Sequence, residues 1–431
     1  MKFAAIALAA LVTGCAAGPN LRVGIVSDVQ GTPAANDYGM ENLELAFEQL
    51  KDRNIDVLLI GGDLANAGQE EVYDNYRAIF SRVFRDRPPW TLQVMGNHDF
   101  WKKDTPPETS IATFCLGTGQ GHADVYHMVI NEYDFIAMSP DAGECNGVYS
   151  ENTKKLMAEN LKLAVKRDPH KPIFVITHQH PANTVYGSDA WGNSDIFDML
   201  KDYPQVIAFS GHSHYPLEDE RTIWQGDFTA AGTSSLNYCE MEKGKVNGSV
   251  PPHASDCVQM IYMEIYKNRV EMTRLNVREG KEIKPDEPWV VELPYDKNAP
   301  VYSAARAEER EAPEWPFFAA APTIDFRRGN AFVAFDAAKH PDFVHSYAIK
   351  VFHPGESEPI TELLYFSDFY RGIDRMSPHP EFTLPPDLLI PGEDYKIQIF
   401  PIESFGKRGD ALELEFSVPS DFVFVIPKKE K

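Results

Sequence analysis

The sequence predicts an α/β fold of two sheets packed face to face with helices outside, followed by a separate all-β sandwich. Three observations carry this expectation. Between residues 21 and 209, apolar runs of strand length alternate with stretches of helical periodicity. After His214 the pattern turns purely β, as hairpins added to the same sheets would. Beyond a stretch rich in Pro, Glu and Lys, short segments alternate apolar and polar residues between turn residues.

Residues 21–27 (LRVGIVS) read as a buried strand, and a helix follows over 39–53, where Met40, Leu43, Ala46, Phe47 and Leu50 recur at helical spacing. The alternation continues with a strand at 56–60, a helix at 70–84 and a strand at 91–95. Two β runs between 125 and 138 flank Asn131-Glu132-Tyr133 as a hairpin, residues 152–166 form an amphipathic helix, and strands follow at 172–176 and 205–209. Segments 223–229, 258–266 and 269–277 are expected as strands. The run Gly117-Thr118-Gly119-Gln120-Gly121 lacks the Lys of a phosphate-binding loop and is expected as a flexible loop. The domain plan is a leader and tether over 1–18, a first domain over 19–280, a linker over 281–322, and a sandwich over 323–431 with strands at 331–335, 347–352, 395–400 and 412–418.

Five polar segments follow strand-like runs: Asp28-Val29-Gln30, Gly61-Gly62-Asp63, Gly96-Asn97-His98-Asp99, Thr177-His178-Gln179-His180 and Gly211-His212-Ser213-His214. Carboxylate, amide and imidazole donors brought to one sheet edge by several loops are what a two-metal hydrolytic site needs, since each ion takes several ligands and one ligand must bridge.

In this order the motifs resemble the calcineurin-like metallophosphoesterase superfamily, whose pattern runs D-x-H, G-D-x-x, G-N-H-[DE], a lone His, then G-H-x-H. The resemblance spans residues 21–277 and implies the α/β/β/α metallophosphoesterase sandwich. It departs at Gln30, where His is usual, although some branches carry D-x-Q. The resemblance assigns one ion to Asp28, Gln30, Asp63 and His214 and the other to Asp63, Asn97, His178 and His212, with Asp63 bridging. It implies that a hydroxide held between the ions attacks phosphorus in line. His98 is then the group that protonates the leaving oxygen, and neighbouring Asp99 is expected to orient its ring. His178 directly follows the strand and is preferred as ligand over His180, which is expected to line the pocket. Gln30 offers oxygen in place of nitrogen, favouring Mn²⁺ among Mn, Mg, Fe and Zn; a rival reading has it position water only. Residues 183–193, with Tyr186 and Trp191, are candidate pocket walls. In the second domain, Pro391-Gly392-Glu393-Asp394-Tyr395 is similar to late strands of fibronectin type III domains, where a Tyr hydroxyl ties down a corner.

A net charge of -23 over 431 residues, with no basic stripe, argues against a nucleic-acid partner and so against a nuclease. Met1-Lys2 and the apolar run to Val12 read as an export signal. Leu11-Val12-Thr13-Gly14-Cys15 resembles a bacterial lipobox, so Cys15 is expected to carry a lipid that anchors the protein in the cell envelope, at the outer membrane or cell surface. In that oxidising setting Cys115 is expected to pair with Cys145 and Cys239 with Cys257, against a zinc site that would want C-x-x-C spacing. The chain therefore reads as a dinuclear phosphoesterase acting on a small phosphomonoester or diester. The alternative is a catalytically silent envelope protein that keeps the fold for binding.

Overall fold

The structure is a computed structural model and describes residues 18–425; Cys15 and the expected export segment lie outside them. β1 (Leu21–Val26), β2 (Val57–Ile60) and β3 (Trp90–Gln93) pair in parallel, because α1 (Tyr38–Asp52) and α2 (Glu70–Val83) return the chain to the same end of the sheet each time. After α3 (Pro107–Thr118), the hairpin of β4 (Val125–Ile130) and β5 (Tyr133–Met138) opens a second sheet, turning at Asn131 and Glu132 with positive φ. α4 (Glu151–Arg167) leads to β6 (Ile173–Thr177). Then β7 (His180–Pro181), α5 (Ser188–Trp191), β8 (Gly192–Asn193) and α6 (Ser194–Leu200) precede β9 (Val206–Ser210). β10 (Ile223–Gln225) and β11 (Thr229–Gly232) complete this sheet in the order β10-β11-β9-β6-β5-β4. The chain returns to the first sheet through β12 (Gln259–Ile265), β13 (Arg269–Asn276), β14 (Lys281–Ile283) and β15 (Trp289–Glu292), giving β14-β13-β12-β1-β2-β3 with β15 also on β13.

Strand alternation decides the layers. Val23 and Ile25 point inward against Phe135, Phe174, Ile176 and Phe209 of the second sheet, while Val26 points out against Leu43, Phe47 and Leu50 of α1. Gly24 shares that outer face, where an added Cβ would meet Leu50 Cδ1 at 2.6 Å, so the glycine lets α1 sit close. Met157, Leu161, Ile196 and Leu200 of α4 and α6 cover the outside of the second sheet. The result is the α/β/β/α sandwich expected.

Several details differ from the sequence reading. Residues 223–229 are not one strand: the chain turns between Gly226 and Phe228, whose N–H···O bond is 3.0 Å. The glycine-rich run is a helix end, not a flexible loop; Gly117 lies in α3 against Tyr73, Gly119 is the left-handed cap (φ 77°), and Gln120 is buried and bonded to both backbone groups of Gln93. Residues 281–292, expected as linker, contribute β14 and β15, with Trp289 buried. The following stretch, including α7 (Arg306–Glu309), is tied down, since Val301 and Tyr302 both donate to Gln225 Oε1.

The C-terminal part packs a three-stranded sheet, β16 (Thr323–Arg327), β17 (Asn330–Ala334) and β20 (Glu381–Leu384), on a four-stranded one. The second contains β18 (Ser346–Phe352), β19 (Thr361–Phe366), β21 (Asp394–Ile402) and β22 (Leu412–Ser417). The Tyr395 hydroxyl accepts the Ile390 N–H at 3.0 Å and closes a corner. Phe343, Phe366, Phe369 and Tyr370 seat the sandwich on Cys239, Met241, Ala254 and Cys257 of the first domain. The expected disulfides are not formed: Cys115, Cys145, Cys239 and Cys257 are free thiols, Cys239 and Cys257 being buried. Among the described residues no helix is long and apolar enough to cross a membrane.

Candidate metal centre

All five motifs emerge from the C-terminal ends of β1, β2, β3, β6 and β9, which the parallel pairings bring to one edge of the sandwich. The turns there are sharp. Asp28, Gln30, Asp63, His212 and His214 all adopt positive φ, a conformation costing a non-glycine residue roughly 1–2 kcal/mol. The motif glycines make room for the ligands: an added Cβ at Gly96 would sit 2.1 Å from Asp63 Oδ1, and one at Gly211 would sit 2.2 Å from Asp28 Oδ2.

Asp28, Asp63 and His178 are fully buried and offer ligand atoms within 4.8 Å of one another. His178 Nδ1–H donates to the Gly61 carbonyl at 2.8 Å, which leaves Nε2 as a lone pair. That lone pair faces Asn97 Oδ1 at 3.0 Å and Asp63 Oδ1 at 3.5 Å, so three electron-rich atoms converge. Burial lowers the His178 pKa, keeping the ring neutral. His212 Nε2 is buried without a hydrogen-bond partner, and burial together with His178 holds its pKa well below the usual value. His214 is oriented through Nδ1 by the Tyr238 carbonyl at 3.1 Å and turns Nε2 to Asp28 Oδ1 at 3.1 Å. Gln30 turns its amide nitrogen into the site, Nε2 lying 3.5 Å from Asp63 Oδ2, 3.3 Å from His98 Nε2 and 3.4 Å from His214 Nε2, so holding a metal through Oε1 requires the amide to flip. Among the described residues neither Asp28 nor Asp63 pairs with Lys or Arg. Burial, with the charges of Asp28 and Asp99, pushes Asp63 up to about 8 despite the opposing pull of His98. Burial also acts to raise Asp28, but His214, His178 and the Ser27 hydroxyl together outweigh it and hold that carboxyl well below the usual range. Such a donor set, buried and with no Lys or Arg against it, suits divalent cations.

Two expected contacts are absent. Asp99 does not touch His98; it is buried beneath the motif and accepts from the N–H groups of Ala65 and Gly96 and from the Tyr73 hydroxyl, each at 2.9 Å. The orienting group on His98 is Asn66, whose carbonyl and Oδ1 both lie 3.0 Å from Nδ1. His180 does not line the pocket, because Ser210 Oγ at 2.6 Å and Ser213 Oγ at 2.8 Å occupy its two ring nitrogens. In the 183–193 segment, Trp191 reaches the site, edge-on to His212 at 5.2 Å. Tyr186 instead turns its hydroxyl to Glu242 and His345 at the domain junction. Asn66, Trp101 and Tyr238 are the neighbours that sequence reasoning missed. Asn66 had a faint signal, being three residues past Asp63 and just beyond the second motif; the other two had none beyond being aromatic.

Residues 21–216 match the model of calcineurin-like phosphoesterases. This stretch is thus similar to the calcineurin-like phosphoesterases, a family of metal-dependent phosphoesterases. No curated protein matches the chain. Among solved structures, it is similar to a dimetal phosphatase from Danio rerio, at 12% identity over 60% of this chain and 97% of that one, with a TM-score of 0.45. A purple acid phosphatase from yellow lupin (Lupinus luteus) seeds aligns at 14% identity over 64% of this chain and 55% of that one, TM-score 0.42. A predicted phosphoesterase from Streptococcus pneumoniae aligns at 12% identity over 63% and 97%, TM-score 0.29.

Proposed function

We propose that this domain hydrolyses a phosphomonoester or phosphodiester with two divalent metal ions, Asp28, Gln30, Asp63 and His214 holding one and Asp63, Asn97, His178 and His212 the other. The observation that carries the reading is the convergence of the His178 lone pair on Asn97 Oδ1 and Asp63 Oδ1, which is repulsive unless a cation lies among them. When bound, the ions supply positive charge for the phosphoryl oxygens and acidify the attacking water. The chain's own groups do the rest. Asp63 spans both ligand sets, with Oδ1 toward His178 and the His98 N–H and Oδ2 toward Gln30. His98, with Nδ1–H held by Asn66, presents Nε2 beside Gln30 at the partly open face of the site and, as the doubly protonated imidazolium, delivers the Nε2 proton to the leaving oxygen, ending as the neutral ring.

Metal analysis of the purified protein, combined with turnover of aryl phosphate mono- and diesters after adding back Mn²⁺, Mg²⁺, Zn²⁺ or Fe²⁺ to stripped protein, tests this. Two ions per chain with turnover is expected, and Asp63→Ala should lose both ions. Two bound ions without turnover on any ester would leave a binding protein on the same fold.

A further inference from the structure

We infer that the leaving group of the substrate is a planar aromatic ring that stacks on Trp101; this rests on the phosphoesterase reading above. Three imidazoles of the site, His98, His212 and His214, are each bordered by an aromatic ring from a different segment. Trp101, just after the His98 turn, lies 3.8 Å from the His98 ring centre; Trp191 of α5 stands edge-on to His212; Tyr238, from the loop after β11, lies 4.6 Å from His214.

Trp101 differs from a packing aromatic. Phe209 and Phe228 of the same domain are fully buried, whereas Trp101 keeps 44% of its surface exposed. It is nonetheless fixed. Its Nε1–H donates to the Gly143 carbonyl at 2.9 Å, and Gly143 packs so closely that an added Cβ would lie 3.3 Å from Trp101 Cδ1. An indole pinned at its edge, partly open to solvent and beside the proposed proton donor pays little entropy on stacking, and stacking accepts any ring with a π face. Because His98 addresses the leaving oxygen, the group that Trp101 meets is the leaving group and not the phosphoryl end. Trp191, with the Lys243 ammonium 5.6 Å from its ring centre, continues the aromatic wall past His212.

Benzyl phosphate and cyclohexylmethyl phosphate separate stacking from leaving-group acidity, since both release an alkyl alcohol of similar size and only one is planar. The pair is assayed as monoesters and as methyl diesters, alongside equilibrium binding of benzylphosphonate and cyclohexylmethylphosphonate. The wild type should prefer the benzyl compounds in both kcat/KM and binding. Trp101→Ala should cut that preference on the order of ten- to a hundredfold, the range for losing one base–aromatic stack, and Trp101→Phe should restore most of it. Equal losses on both leaving groups would make Trp101 a prop for His98 and overturn the inference, as would a wild type without aromatic preference. No turnover on any ester in the wider panel is failure of the phosphoesterase reading itself, and takes this inference with it.

Discussion

At Gln30 a neutral amide stands among Asp63, His98 and His214, where the commoner motif would place an imidazole. Carbonyl-type oxygen favours Mn²⁺ or Mg²⁺ over Zn²⁺, so Gln30→His should strengthen Zn²⁺ relative to Mn²⁺ in competition binding and shift the metal dependence of turnover the same way. Unchanged preference would place Gln30 outside the coordination sphere. The neighbouring His98 separates two roles that the G-N-H-D run conflates. His98→Ala should keep the metals but lose roughly 10²- to 10⁴-fold in turnover on esters with poor leaving groups and less on good ones. Asn66→Ala should reproduce part of that leaving-group dependence, because Asn66 holds Nδ1. Asp99→Ala should act on stability instead, leaving buried donors on Ala65, Gly96 and Tyr73 unpaired at about 1–3 kcal/mol each, read from the urea midpoint. A leaving-group signature in the Asp99 variant matching that of His98→Ala would overturn the assignment.

Among the elements, His180 links two strands of the second sheet to the ligand loop. It follows β6 and is clamped between Ser210 at the end of β9 and Ser213 between His212 and His214. Burial lowers its pKa to about 3, so it works as a neutral tether. His180→Ala leaves Ser210 Oγ unpaired and Ser213 Oγ with only the long Tyr215 N–H contact, which frees the loop, and metal affinity should fall roughly 10- to 100-fold, as for other residues that support ligands without touching metal. Affinity equal to wild type would confine His180 to packing. Nothing in Thr177-His178-Gln179-His180 reveals this, since serine partners 30 and 33 residues away leave no local trace. What was legible is what periodicity and short motifs encode. The strands beneath the ligands are apolar runs, and each ligand follows its strand directly, so sheet edge and donor set could be read together. Illegible were elements whose burial is sparse or whose partners are distant. α3 buries only Ser110, Phe114 and Gly117, too few for a helical stripe. β14 and β15 sit amid Lys, Glu and Pro and are strands because β13 offers them an edge. Asp99 was misjudged because adjacency in sequence is not adjacency across a 3₁₀ turn, where the two side chains diverge.

The two domains meet along the segment from Cys239 to Cys257, so the sandwich is a structural partner of the segment beginning beside Tyr238. Asn247 bonds both backbone groups of Phe366 at 3.0 and 3.1 Å, Tyr370 reaches the Pro252 carbonyl at 2.8 Å, and Lys284 bridges Glu220 and Asp342. Beside this junction a cavity of about 740 Å³ is lined by Glu218, Glu220, Lys284 and Asp342 among others. Glu218 is fully buried there, with both carboxylate oxygens accepting from Gln259 Nε2 at 2.9 and 2.7 Å. Burial raises its pKa to about 7, against the opposing pull of Gln259, Arg274 and Lys284. The sign follows from linkage. Below the unfolded value near 4.5 both states hold the proton and the group is neutral to stability. Between there and about 7 the unfolded chain has released the proton and the folded one has not, so stability falls as pH rises and levels off above about 7. The full loss is on the order of 3 kcal/mol. Glu218→Gln removes the titration while keeping an oxygen for Gln259, so relative to wild type it should gain stability from pH 5 to pH 8. Titrations at the metal centre are common to both proteins and cancel in that difference, which urea unfolding at the two pH values measures directly. A difference independent of pH would mean that Glu218 ionises in the folded protein as it does in water, with the cavity hydrating it.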